Sequence, residues 1–304
     1  MNLSVRVGDV SFSNPIILAS GTCGFGRELK EYMDFSKIGG ISSKGLTLLP
    51  REGNEGVRIA ETPSGILNSV GLQNPGVEAF LQTELDFMNT LGTKVIVNIA
   101  GHSTEDYVKM VEILGSPDKK IDALELNFSC PNVTEGCMSI GTDPEQVFSL
   151  MKKLRPLTKK PLWVKLTPNV TDITQVAAAA EAGGADAIVL INTLLGMKID
   201  VKTRRPVLQN NTGGLSGPAV RPVAVRMTAQ CYQAVKIPII GLGGIATASD
   251  ILEFMIAGAS AVQVGTASLV HPNIAQGLSE ELSEWMEKEG VKNIAELTGS
   301  LQYW

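Results

Sequence analysis

Eight short apolar runs recur along the chain, each followed by a longer stretch of helical character, and this alternation constrains the fold more than any other feature. The runs are PIILAS (15–20), GGISSKG (39–45), KVIVNIAG (94–101), ALELNFSC (123–130), PLWVKLT (161–167), AIVLINT (187–193), IPIIGLGG (237–244) and AVQVGTA (261–267). Rich in Val, Ile and Leu and nearly continuous, they suit parallel strands buried on both faces. Between them, Asp143-Pro144 opens a segment with Val147, Leu150, Met151 and Leu154 on one helical face. Thr171-Asp172 opens another that stops at glycine, and a third runs from Thr247 or Ser249 to Gly258. Strand then helix, eight times over, predicts an α/β protein with a single (β/α)₈ barrel domain over residues 1–304. An open doubly wound sheet is the alternative, and eight consecutive units favour closure. The opening VRVGDVSF alternates in polarity and predicts an N-terminal β-hairpin plugging the other end of the barrel.

The apolar content, 44% of 304 residues, supplies one large core. A net charge of −5 offers no basic field for a polyanion, so nucleic acid is not expected as a partner. The four cysteines, Cys23, Cys130, Cys137 and Cys231, form no CxxC pair, which argues against an iron–sulfur cluster or structural zinc on this chain. His102 and His271 are too few for a histidine-rich metal centre, and no metal site is expected. No secretory signal and no run of ~18 apolar residues is present, so the expectation is a cytoplasmic protein without a membrane segment.

Two connections, 46–76 after the second run and 194–218 after the sixth, exceed the ~12–15 residues of ordinary loops. Both follow the carboxyl end of a strand, where barrel enzymes keep their active sites, and are expected to bear on substrate closure and subunit contact. Polar residues recur at the same end: Ser20, Lys44, Asn98, Asn127, Lys165 and Asn192 with Thr193, then Gly243-Gly244 and Gly265-Thr266. Any one of them is explained by a strand meeting solvent. Together they predict a polar site at the barrel mouth. The glycines after the last two runs are placed to converge backbone N–H groups on a phosphate.

Asn127, Phe128, Ser129, Cys130, Pro131 and Asn132 form the most specific cluster, leading into a loop that runs to residue 142. For Cys23 and Cys231 a buried, inert thiol is the expectation. Cys130 differs because it stands at the mouth before a proline. A thiol titrates near ~8.5, nearby lysines lower that value and apolar burial raises it, so both directions stay open for Cys130. Cys137 is expected to be incidental.

At NSVGLQN (68–74), NFSCPN (127–132) and the glycine pairs of the last two strands, the chain resembles class 1 dihydroorotate dehydrogenases, FMN-binding (β/α)₈ barrels of pyrimidine biosynthesis. The likeness runs from ASGTCGFG to the GTAS after the last strand. A cysteine at position 130 resembles class 1, since class 2 enzymes carry serine there. ASGTCGFG, REGNEG, RIAETPSGILNSVGLQNPG and KVIVNIAG resemble the NAD-linked subclass, 1B.

The resemblance implies one FMN per chain. It further implies a partner subunit carrying FAD and [2Fe–2S], a heterotetramer of two chains of each kind, and NAD⁺ as acceptor through the partner. It implies oxidation of dihydroorotate to orotate, with Cys130 as the base that takes the C5 proton while C6 gives hydride to the flavin. Substrate contacts carried over are Lys44, Asn68, Asn127, Asn192 and Thr193, with N–H groups of Ser69, Val70, Gly71 and Leu72 converging on the substrate carboxylate. Flavin contacts carried over are Ser20, Lys44, Gly45, Asn98, Asn127, Ile191 and Lys165, the last beside the N1/O2 edge. Gly217, Gly243, Gly244, Gly265 and Thr266 would surround the ribityl phosphate. The rivals are a fumarate-linked class 1A enzyme, another FMN barrel acting on a pyrimidine ring, and a flavin-free phosphate-binding lyase or isomerase with Lys165 as a Schiff-base lysine.

Overall fold

The computed structural model describes residues 1–128 and 140–304. Cys130 and Cys137, with Ser129, Pro131, Asn132 and the loop to 139, lie outside the described residues. A hairpin comes first, β1 (Val5–Val7) and β2 (Val10–Phe12), paired antiparallel from Val5↔Phe12 to Val7↔Val10. Eight parallel strands follow: β3 (Ile16–Leu18), β4 (Gly40–Ser42), β7 (Lys94–Ile99), β8 (Ala123–Asn127), β9 (Leu162–Lys165), β10 (Ala187–Leu190), β15 (Ile239–Leu242) and β16 (Ala259–Val264). They close into a barrel in chain order, with β16 returning to β3 through Val262↔Ile16 and Val264↔Leu18. Closure removes both sheet edges, so short strands of three to six residues suffice.

Each of the eight runs supplies one barrel strand. The helices depart from the expected count at the first unit. Between β3 and β4 no α-helix forms; the connection holds only the 3₁₀ turn Phe35–Lys37. Gly24 and Gly26 hold positive φ there, +54° and +93°, and this breaks any helix through the segment. The other seven units carry helical layers: a segment over 76–89 with a π turn at Phe80–Glu84, then Thr104–Leu114, Pro144–Leu154, Ile173–Gly183, Arg221–Ala234, Ala248–Ala257 and Ile274–Glu289.

The N-terminal signals fall where side chains cap free N–H groups. Asp143 accepts from Glu145 N, and Asp172 from Thr174 N. At Ala248–Ala257 the cap is Thr247 rather than Ser249, and Thr247 and Asp250 form a reciprocal capping box. Thr247→Ala is expected to lower unfolding free energy by ~1 kcal/mol, measured by urea titration.

The hairpin closes the amino end of the barrel. Phe12 is buried, its ring 6.1 Å from that of Trp163 on β9, and it packs against Gly40 at the start of β4. At the opposite end the two long connections are not independent loops. β5 (Ile59–Thr62) and β6 (Gly65–Asn68) come from the first; β11 (Leu194–Gly196), β12 (Ile199–Asp200), β13 (Arg205–Pro206) and β14 (Gly213–Ser216) come from the second. β6 and β14 pair antiparallel through Asn68↔Gly214 and Ser216↔Ile66, making one sheet in the order β11–β14–β6–β5. Ala60, Leu67 and Leu208 form its own small core. No helix among the described residues is long and apolar enough to cross a membrane.

Candidate active site at the barrel mouth

Side chains two apart on a strand share a face. Glu125 therefore points with Asn127, and Trp163 with Lys165. The hydrogen bonds show that this face is the barrel interior. Glu125 is fully buried and accepts from groups on four other strands. Its Oε1 takes Asn98 Nδ2 at 2.6 Å, Ser42 Oγ at 3.2 Å and Lys165 Nζ at 3.5 Å, and its Oε2 takes Gln263 Nε2. Lys165 is only 5% exposed along its side chain, so this ion pair lies inside the barrel, out of water's screening.

Above this layer stand the mouth residues. Lys44 follows Ser42 by two positions, and its own N–H donates to Gly24 O at 2.9 Å. Burial lowers its ammonium pKa, an effect the neighbouring Cys23 thiol partly offsets. A Cβ on Gly45 would stand 2.9 Å from Asn98 Oδ1 and 3.6 Å from Leu72 Cδ2, so Lys44–Gly45, Asn98 and Leu72 converge. Asn127 and Asn192 meet through Asn192 Nδ2 and Asn127 Oδ1 at 3.4 Å, and Tyr107 OH donates to the Asn127 carbonyl at 2.6 Å. The Asn192 carboxamide oxygen accepts from Thr193 N at 2.8 Å. Thr193 packs on Gly214, whose carbonyl accepts from Asn68 Nδ2 at 3.3 Å, so the second long connection brings Asn68 and Thr193 side by side.

The segment 69–72 differs from expectation in one respect. Ser69 N–H is committed to Arg58 O at 2.8 Å, leaving it no role toward a carboxylate. The N–H groups of Val70, Gly71 and Leu72 donate to no acceptor among the described residues. Asn54 pins this segment from below, donating to Ser69 O and Val70 O. Leu72 sits at φ +56°, a conformation that side-chain-bearing residues rarely hold.

The glycine cluster also assembles. Gly244 has φ +74°, and a Cβ there would strike Gly217 O at 2.7 Å. A Cβ on Gly217 would meet Gly65 Cα at 2.8 Å and Thr266 Cγ2 at 3.6 Å, while Thr266 Oγ1 donates to Ser216 Oγ at 2.8 Å. Ile191 lies against Gly243, and Ala19, next to Ser20, against Gly265. The N–H groups of Gly243, Gly244, Gly265 and Thr266 have no acceptor among the described residues. Small residues with N–H groups to donate are gathered there, an arrangement that fits a phosphate. The buried, unpaired Asn98 Oδ1 and the two lysines fit a polar ring above it.

Glu125 and Gln263 were not among the residues picked out from sequence. The signal was present, since each is a polar residue within an otherwise apolar run, ALELN and AVQVG. Cys23 and Cys231 are both buried. Burial pushes both thiols up from their usual 9.0 to about 12, with Glu28 adding at Cys23 and Asp172 at Cys231. Because the folded thiols hold their protons more tightly than unfolded ones, their contribution to stability is complete below pH 9 and is lost between 9 and about 12. Lys44 works in the opposite sense, its burial penalty easing as pH rises toward 10.5. Lys160, also lowered by burial, acts in the same sense as Lys44, but the displacement of both thiols to about 12 is the larger effect, so melting temperature should fall above pH 9. Native protein at pH 8 should leave Cys23 and Cys231 unalkylated by iodoacetamide.

The dihydroorotate dehydrogenase family model matches residues 2–286. The chain belongs to this family. It is 50% identical over 301 residues to the protein of Caldicellulosiruptor bescii named dihydroorotate dehydrogenase B (NAD(+)), catalytic subunit, covering 99% of each chain. Proteins of the same name from Geotalea uraniireducens and Lachnoclostridium phytofermentans are each 50% identical over 302 residues. That match covers 99% of this chain in both cases, and 98% and 100% of theirs.

Proposed function

We propose that this chain oxidises (S)-dihydroorotate to orotate in pyrimidine biosynthesis, as the catalytic subunit of an NAD⁺-linked enzyme that holds one FMN. The observation that carries the reading is the convergence of Lys44, Asn98, Asn127, Lys165 and Asn192, at or just past the carboxyl ends of five different strands, beside a cluster of glycines with N–H groups free among the described residues. A planar ring bearing amides and a carboxylate needs several fixed donors and acceptors, and lysine and asparagine supply them.

When bound, FMN supplies the two-electron acceptor for the substrate's hydride. Gly217, Gly243, Gly244, Gly265 and Thr266 would hold its phosphate, and Ser20, Gly45, Asn98 and Ile191 would flank the rest. Lys165 would place a cation beside the ring, the charge that suits its reduced form. Lys44, Asn68, Asn127, Asn192 and Thr193 orient the substrate, with the N–H groups of Val70, Gly71 and Leu72 directed to its carboxylate. Cys130 takes the C5 proton as a base, without forming a covalent bond.

A partner subunit carrying FAD and [2Fe–2S] would supply the path for the electrons to NAD⁺, in a heterotetramer of two chains of each kind. The relatives' designation as catalytic subunits supports a partner. So does the row Leu195, Met197, Ile199 and Val201, apolar residues at alternate positions and each more than half exposed. A Schiff-base lysine needs a free amine, and the Glu125 carboxylate occupies Lys165, which speaks against the flavin-free lyase.

The test is an absorbance spectrum of the purified chain before and after anaerobic dihydroorotate. A flavin band that bleaches on addition is expected. A yellow protein that does not bleach would move the substrate elsewhere, and a colourless chain that cannot be loaded with FMN would end the flavin reading. NAD⁺ reduction only after the partner is added then separates this enzyme from a fumarate-linked one.

A further inference from the structure

We propose that Glu125 is a positioning residue that sets the polarity of the barrel mouth. It holds Lys165 as a neutralised cation and turns the Asn98 amide so that its oxygen, not its nitrogen, faces the ligand. This inference rests on the FMN reading above.

A carboxylate can only accept hydrogen bonds, so any amide beside it must present its NH₂. Asn98 does so at 2.6 Å, and the constraint sends Asn98 Oδ1 to the other side, toward Gly45 at the mouth. There Oδ1 is buried and without a partner among the described residues. An unpaired buried acceptor is costly, and the cost is relieved when a ligand brings a donor. An isoalloxazine ring carries a ring N–H of the required kind. On the same oxygen of Glu125, Lys165 Nζ at 3.5 Å brings a positive charge that the carboxylate balances. Removing that balance leaves the mouth more positive and favours a reduced, anionic flavin. Glu125 itself stands one layer below the mouth, acting through Asn98 and Lys165.

The experiment compares the full chain, Glu125→Gln and Ser42→Ala, each loaded with FMN. The readouts are the FMN dissociation constant by fluorescence titration and the flavin midpoint potential by dye equilibration. A glutamine at 125 brings its own NH₂, which competes with that of Asn98 and frees the amide to turn. FMN affinity in Glu125→Gln should therefore fall at least tenfold. Its reduction equilibrium should shift at least tenfold toward the reduced form, about 30 mV for a two-electron couple. Ser42→Ala removes a different donor from the same buried carboxylate and should change both readouts less than twofold, which separates positioning from general loosening. Folded Glu125→Gln with wild-type affinity and potential would overturn the inference, as would Ser42→Ala shifting both as far. If Glu125→Gln is insoluble, Glu125→Asp keeps the charge but withdraws the acceptor by one methylene. It should bind FMN more weakly at a near-wild-type potential, and wild-type affinity in that variant would again overturn the proposal. A wild-type chain that takes up no FMN fails the reading beneath it instead.

Discussion

Cys130→Ala should slow reduction of the bound flavin by dihydroorotate ~10²–10⁴-fold, the range a positioned base contributes, while FMN stays bound. A carbon-bound proton needs a positioned base to leave in the transition state, and Cys130 is the residue proposed for that task. The proposed flavin contacts, in contrast, are Asn98, Lys165 and the glycine cluster, which the substitution leaves alone. Anaerobic stopped-flow mixing, monitoring the flavin band, measures the rate, and the spectrum of the resting protein reports FMN content. In the wild type the rate should rise with pH to a plateau as the base deprotonates. Loss of flavin together with activity would count against the assigned role, because a base need not touch the cofactor's anchors.

Lys165→Met should cost ~3–5 kcal/mol of stability, the usual penalty for breaking one side of a buried ion pair. Glu125 would keep Ser42, Asn98 and Gln263 as donors but lose its only cation among the described residues. Urea unfolding of the FMN-free chain isolates this effect from cofactor loss. Adding Glu125→Gln to the same chain should restore part of the loss, since the orphaned charge is then gone. A loss below ~1 kcal/mol would place the pair among exposed, screened ones and contradict its burial. FMN binding should also weaken in Lys165→Met, with no recovery in the double variant.

The barrel itself was legible because parallel strands buried on both faces must be written as continuous apolar runs, and eight such runs stand in the chain. Helix starts were legible for a similarly local reason: Asp143, Asp172 and Thr247 each cap N–H groups within three residues of themselves. The first βα unit was misjudged because the turn-forming glycines Gly24 and Gly26 outweigh the helical character of the residues after them. The two long connections were recognised as unusual, but their pairing was not. β6 and β14 are separated by well over a hundred residues, and an antiparallel ladder leaves no mark in either strand alone that names its partner.

Much of the mouth could be listed from strand ends, since polar residues at the carboxyl ends of buried strands have few other reasons to be there. Glu125 and Gln263 could not be read in the same way. Polar residues inside an apolar run announce that a partner is needed, yet the partners lie on strands that only closure brings within reach. The amino-acid sequence by itself determined the element types, their order and the residue types available at the barrel mouth, all properties of short-range chemistry. Only the tertiary structure decided which of those residues meet. Barrel closure brings groups from four other strands to Glu125, and the β6–β14 ladder sets Asn68 beside Thr193, contacts between residues that are distant in the chain and adjacent only in space.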